Sequence, residues 1–180
     1  MLYYKERYFR DYALKLTLNE QRIFSTREGR SADPADTRYD VFLSYNIVDQ
    51  KVVMGIYYYL INELGLKVYI DCVNDPDLQR NATDKNSAER IQNRLKHSRS
   101  LLYAQSANAN NSNWMPWELG VVDGHTGKCM IMPVTIDSER EVPKREYLLL
   151  YPYVRPNIDN RMRVYIDATS LEKPLVDYIK

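Results

Sequence analysis

Glycine, cysteine and histidine are all scarce in this 180-residue chain, which has six, two and two of them. No glycine falls between Gly65 and Gly120. The chain therefore carries neither GxGxxG nor GxxxxGK[ST], the two common glycine-rich phosphate cradles, and any nucleotide must be held in another way. Cys72 and Cys129 provide no disulfide framework and no metal-ligand pair. Both fall at or near strands, so they read as free, buried thiols of a reducing cytoplasm. His97 and His125 are far apart, and Gly124-His125-Thr126-Gly127 reads as a solvated turn, not a general-base site. No apolar run approaches the ~18 residues that span a bilayer. The opening Met1-Leu2-Tyr3-Tyr4-Lys5-Glu6-Arg7 is too charged for a secretory signal. With 25 basic and 24 acidic residues, the net charge of +1 gives no general argument for nucleic acid or membrane binding. Length and composition suit one soluble domain plus an extension.

What is present is a regular alternation of elements. Tyr39-Asp40-Val41-Phe42-Leu43-Ser44-Tyr45 is a short run of strand formers. Asp49 can cap a helix in which Val52, Val53, Ile56, Leu60, Ile61 and Leu64 recur at helical spacing, closed by Gly65. Leu66 to Asp71 alternates like a strand, and a polar stretch runs from Asn74 to about Asn86. A helix with Ala88, Ile91 and Leu95 on one face leads to a buried strand at Ser100 to Ala104. Lys128 to Ile136 and Arg163 to Asp167 read as further strands, joined by a Pro- and Tyr-rich connection. Thr169 to Lys180 reads as a closing helix weakened by Pro174. Such alternation implies a parallel sheet covered on both faces.

The densest chemical signal is Ser112-Asn113-Trp114-Met115-Pro116-Trp117-Glu118-Leu119-Gly120. Ser112 is a good N-cap, and Pro116 sits in the first turn, where backbone N–H groups lack intrahelical partners. Leu119 and Val122 continue an apolar stripe that Gly124 can stop. Glu118 is thus placed early on a helix that follows a strand, where open α/β sheets put their ligands. A carboxylate between two indoles suits a polar ligand with a flat cationic group. Its plain alternative is a helix-dipole carboxylate between two core anchors. Of the two indoles, Trp117 is the one expected beneath the helix, one turn from Gly120 and Val121.

Residues 1–38 differ from the rest. Tyr4, Tyr8, Tyr12 and Leu16 recur every four residues among charges, which predicts an amphipathic helix, and Ser31 to Asp36 reads as a linker. The helix either packs on the same core or offers a tyrosine face to another subunit.

Three segments together carry a resemblance. Tyr39 to Tyr45 is similar to the first box of bacterial TIR (Toll/interleukin-1 receptor) domain proteins. Val68-Tyr69-Ile70-Asp71 is similar to the family's second strand. Ser106, Ser112, Trp114, Glu118 and Leu119 resemble its third signature. The likeness covers about Tyr39 to Lys180 and implies a flavodoxin-like three-layer α/β domain with five parallel strands, the TIR fold, at 39–180. The chain departs from it in the loop after the second strand, the BB loop. Asn74-Asp75-Pro76-Asp77-Leu78-Gln79-Arg80-Asn81 must turn with Pro, Asp and Asn chemistry instead of glycine.

The resemblance implies cleavage of the nicotinamide–ribose bond of NAD+, with Glu118 as the catalytic carboxylate. Nicotinamide leaves as a neutral base, so no general acid is needed, and one carboxylate can stabilise the oxocarbenium character that builds on the ribose. Trp114 or Trp117 could stack on a ring. Ser44 and Tyr45 would line the crevice, Asn46 would bond ribose or phosphate, Asp71 would form the other wall, and Arg80 would pair with a phosphate. NAD+ would be substrate, with ADP-ribose or a cyclic ADP-ribose isomer as product. Likeness to stand-alone, Thoeris-type antiphage TIR proteins implies a signal read by a separate effector, and a site completed by head-to-tail self-association.

Two rivals remain at this stage. One is a non-catalytic TIR scaffold. The other is a different flavodoxin-like domain: a receiver lacks support, because Ser44-Tyr45-Asn46 and Ala104-Gln105-Ser106 stand where its aspartates belong. A deoxyribosyltransferase-like enzyme shares the chemistry but not the three boxes.

Overall fold

A computed structural model of the chain describes residues 3–15, 33–75, 85–136, 145–166 and 172–180. In chain order these form β1 (Tyr4–Lys5), α1 (Glu6–Lys15), β2 (Val41–Ser44), α2 (Gln50–Asn62), β3 (Val68–Tyr69), α3 (Asp71–Asn74) and α4 (Lys85–Lys96). They continue with β4 (Leu101–Gln105), α5 (Trp114–Thr126), β5 (Cys129–Thr135), β6 (Tyr153–Pro156), β7 (Met162–Tyr165), β8 (Glu172–Pro174) and α6 (Leu175–Ile179). Among the described residues the strands make one sheet in the order β3-β2-β4-β5-β6-β7-β8, with β1 added beside β5.

From β3 to β6 every pairing is parallel, so the expected α/β sheet is present. Its edge differs from expectation. The Pro- and Tyr-rich connection supplies a strand, β6, and the segment expected to continue the parallel set, β7, runs antiparallel to it, as does β8 to β7. β6 and β7 are short, and each buries alternate residues only. That half-burial is what an antiparallel edge needs, whereas β2, β4 and β5 are buried at every residue.

Two apolar clusters sandwich the sheet. Val41, Leu43 and Tyr45 of the first strand segment join α1, α2 and α6 on one face. Phe42 packs with Ile91, Leu95, Met115, Leu119 and Val122 on the other. This split is the two-residue period of a strand written into the sequence.

The tyrosine helix belongs to the first face. Phe9 is fully buried and the backbone of α1 lies directly against Gly55 of α2. A Cβ at Gly55 would stand 2.0 Å from the Phe9 carbonyl oxygen. A mid-helix glycine costs up to ~1 kcal/mol, and here the close crossing requires it. α2 ends as its sequence predicts, with Gly65 left-handed at φ +64°.

Several ends differ from the reading of the sequence. α5 does not stop at Gly124; it continues to Thr126, and Gly127 at φ +62° closes it with its N–H on the Asp123 carbonyl. His125 is consequently in the last helical turn. Pro174 does not kink the closing helix, because it stands just before its first residue, Leu175. The expected linker is described only from Asp33, and the expected strand and helix termini at Asp167 and Thr169 lie outside the described residues. No described helix is long and apolar enough to cross a membrane.

A buried carboxylate at the switch point

The order β3-β2-β4-β5-β6 reverses direction between β2 and β4, and the carboxyl ends of those two strands frame the crevice where such sheets bind ligands. Phe42 and Ser44 face α5, while Leu43 and Tyr45 face α2. Ser44 Oγ donates a 2.6 Å hydrogen bond to Glu118 Oε2, and both residues are fully buried. The length lies in the ordinary range of a hydroxyl–carboxyl hydrogen bond.

Glu118 comes inward because Met115, Glu118, Leu119 and Val122 share one face of α5, at helical spacing i, i+3, i+4, i+7. Ser112 Oγ accepts from the Met115 N–H at 3.2 Å, so Ser112 still holds the helix start although Asn113 occupies the cap position. The same geometry corrects the reading of the indoles. Trp117 is 37% exposed and Trp114 is half-buried against the second cluster, so Met115, Leu119 and Val122 fill the space beneath the helix. The two rings meet edge to face, 5.6 Å between centroids.

Tyr45 is on the opposite face from Ser44. Its hydroxyl donates to Asp71 Oδ1 at 2.8 Å, and both side chains are buried. Burial first, and the Asp71 charge next, push the Tyr45 phenol far above its ordinary value. Tyr45 and Asp71 thus form a pair of their own beside α2, while Ser44 and Glu118 meet beside α5. Arg80 and the loop from 76 to 84 lie outside the described residues.

Asn46 spans the switch point. Its amide donates to the Asn108 carbonyl at 2.8 Å, and its Oδ1 accepts from the Val48 N–H at 3.0 Å. Asn108 in turn donates to Asp49 Oδ1 at 2.7 Å, and Ser106 Oγ donates to Asp49 Oδ2 at 2.5 Å. Asp49, readable from sequence only as a helix cap, makes no side-chain cap bond and ties the β2 loop to the β4 loop instead. The Ser106-x-Asn108 pair directly after a strand was the available sign, since Ser and Asn at strand ends make local turns.

Tyr103 is a further neighbour that the sequence did not single out. It is directly opposite Ser44 in the β2–β4 register and fully buried. Its phenol is pushed well above the ordinary value, chiefly by burial, then by Tyr147 and the Glu118 charge, with Arg145 opposing. Arg145 lines a cavity of about 330 Å³ with Asn110, Ser112, Asn113, Pro116 and Tyr147, at the start of the Glu118 helix. Its guanidinium donates twice to Asn110, at 3.2 Å each. A larger cavity, about 540 Å³, lies under the β3 edge among Tyr57, Leu66 and Asn74 and does not include Glu118. Among the described residues no three His, Cys, Asp or Glu side chains converge as for a metal ion.

The sequence profile of the TIR domain family matches residues 41–174. The chain belongs to the TIR domain family. This TIR domain is 41% identical over 142 residues to a "Probable 3' cyclic ADP-D-ribose synthase ThsB'" of Bacillus cereus (strain MSX-D12), covering 78% of this chain and 73% of that protein. It is 28% identical over 115 residues to a "Putative cyclic ADP-D-ribose synthase TIR2" of Cytobacillus dafuensis, covering 56% of this chain and 30% of that longer protein. The TIR domain of the Toll-related receptor TRR-2 of Hydra magnipapillata aligns with a TM-score of 0.44 at 22% identity, over 64% of this chain and 83% of that one.

Proposed function

We propose that this TIR domain cleaves the nicotinamide–ribose bond of NAD+ and closes the ADP-ribose product into a cyclic isomer, or releases it linear, as a signal in bacterial antiphage immunity. The observation that carries the reading is the Ser44–Glu118 pair, buried at the switch point. The 41% identity to a protein named as a cyclic ADP-D-ribose synthase supports it.

The chemistry needs little beyond that pair. The C–N bond breaks with its electrons going to the pyridinium nitrogen, which leaves neutral. Positive charge appears on the ribose, and a carboxylate fixed in a dry site stabilises it more than it stabilises the substrate. Ser44 fixes the rotamer of Glu118. Water, or an adenine nitrogen or ribose hydroxyl of the same molecule, then attacks the ribose carbon and gives up its proton. In this reading Trp117 supplies an exposed ring for stacking and Arg145 a guanidinium for phosphate, with Asn46 holding the loops that frame the entry.

Glu118 is covered, so substrate reaches it only when groups over it move. That supports a second element of the proposal: head-to-tail self-association opens and completes the site, and activity rises faster than linearly with protein concentration. The product acts through a separate effector in the cytoplasm. A non-catalytic TIR scaffold is the competing reading.

The test is nicotinamide release from NAD+ by the purified protein over a wide concentration range, with chromatography of the adenine-containing product. Nicotinamide together with a cyclic or linear ADP-ribose supports the reading. No release at any concentration, including conditions where light scattering shows assembly, leaves the scaffold. Constant specific activity from a monomer removes self-association and keeps the enzyme.

A further inference from the structure

The opposite pole of the sheet holds a concentration of charge that the reaction does not use. The chain as a whole is almost neutral, +1 from 25 basic and 24 acidic residues, which predicts interspersed signs. Yet a cavity of about 440 Å³ is lined by Arg38, Lys96, Arg99, Lys128 and Lys180, and none of its ten lining side chains is acidic. Both histidines of the chain, His97 and His125, line it as well.

Topology makes the cluster. β2, β4 and β5 are adjacent and parallel, so their amino ends lie side by side. Arg38, Arg99 and Lys128 stand just before those three strands. Arg38 and Arg99 are brought across from one another by the Tyr39–Ser98 bridge and the Arg99 N–H bond to the Tyr39 carbonyl. Each charge has some local account. Lys128 Nζ donates to the Ile179 carbonyl at 2.9 Å, Lys96 lies in the last turn of α4, and Arg99 stands 3.4 Å from Asp40. None of these explains why five cations share one concavity, where like charges repel. The Arg99 side chain is 64% exposed, so its ion pair with Asp40 is a weak surface contact that a phosphate can displace.

We propose that this cavity is a second ligand site, for a small molecule bearing a di- or triphosphate. Two arginine forks match phosphate oxygens bidentately, and the lysines add point charges around them. The volume is that of a small-molecule pocket. Glu118 sits toward the other end of strands that rise about 3.3 Å per residue, so the two sites are separate. The source is a free polyphosphate or the phosphate tail of a nucleotide, and the recognition chemistry is common to both.

The test titrates the full chain at low ionic strength with inorganic tripolyphosphate and, separately, with ATP. Calorimetry gives the affinity, and NMR follows the two imidazole signals, which report directly on the cavity because the chain has no other histidine. The expected result is saturable one-to-one binding of tripolyphosphate that shifts both imidazoles. It should weaken at least about tenfold in an Arg38→Gln/Arg99→Gln variant with an unchanged melting temperature, and persist in Glu118→Gln. Tighter binding of ATP than of tripolyphosphate identifies the nucleotide as source; equal binding identifies the phosphate chain alone. Absence of saturable binding, unmoved imidazoles, or binding lost in Glu118→Gln would overturn the proposal. So would a single-stranded RNA that binds more tightly than either and depends on the same arginines.

Discussion

Asp75 and Glu118 are both buried carboxylates, on opposite flanks of α4 in sequence, and they are held in contrasting ways. Asp75 accepts from Arg94 Nε and Nη2 at 2.8 and 2.9 Å and from the Tyr69 hydroxyl at 2.9 Å. Arg94 also donates to the Pro34 and Asp33 carbonyls. One ion pair thus joins the end of α3, the helix α4 and the segment that leads into β2. Glu118 is bonded by a neutral hydroxyl, that of Ser44. A carboxylate neutralised by a guanidinium has its field cancelled and serves structure. In the proposed reaction Ser44 orients the carboxylate that faces the developing oxocarbenium.

The contrast breaks first on the structural side. Arg94→Met leaves Asp75 buried without its cation, and urea unfolding should show a loss of about 3–5 kcal/mol. Replacing Asp75 and Arg94 together by apolar residues should recover part of it. A single variant within about 1 kcal/mol of wild type would deprive Asp75 of its structural role.

Ser44→Ala sharpens the other side. A hydrogen bond to a charged group is worth about 1.5–3 kcal/mol, so the variant should keep its fold and lose about tenfold or more in kcat, with KM for NAD+ little changed. A rise in KM alone would assign Ser44 to binding and not to the orientation of Glu118.

The two tryptophans follow with a smaller, opposed pair of effects. Trp114→Ala should cost about 2 kcal/mol of stability, less than a fully buried aromatic. Trp117→Ala should stay within about 0.5 kcal/mol and raise KM. Melting curves and steady-state kinetics on both variants separate the roles, and identical behaviour would remove the distinction.

Alkali gives the mildest test. Burial, and then Asp123, pushes the Cys129 thiol up to about 12 from an ordinary 9.0. Burial likewise raises the phenols of Tyr4, Tyr39 and Tyr103 above their ordinary 10.0. The folded state therefore holds these protons more tightly than the unfolded chain does. Their contribution is complete below pH 9 and is lost as pH rises from about 9 toward 12, at up to about 1.4 kcal/mol per pH unit for each group. Urea midpoints should be flat from pH 7 to 8.5 and fall above it. A midpoint that climbs in alkali would contradict the burial of these groups.

Much of this was legible in the sequence because it is written in local periods. The i, i+3, i+4, i+7 set around Glu118 and the strand run from Tyr39 to Tyr45 place the central pair. The same rules, applied consistently, would have separated Ser44 from Tyr45, since neighbours on a strand face opposite ways. They would also have turned Trp117 outward, because Met115, Leu119 and Val122 already fill the inward face. What could not be read was set by long-range contact. Asp49 looks like a cap until Ser106 and Asn108 arrive from another strand. β6 looks like a connection because its Tyr and Pro residues gain strand geometry only from pairing with β5 and β7. Arg145 and Tyr103 join the site solely through the fold.

The most direct measurement is the rate of nicotinamide release by Glu118→Gln beside wild type, at matched concentration and matched assembly state, with thermal melts of both. The amide keeps an oxygen for the Ser44 hydroxyl and loses the charge. Our account predicts a fall of at least about 100-fold with an unchanged melting temperature. Wild-type turnover by a folded Glu118→Gln protein would contradict it.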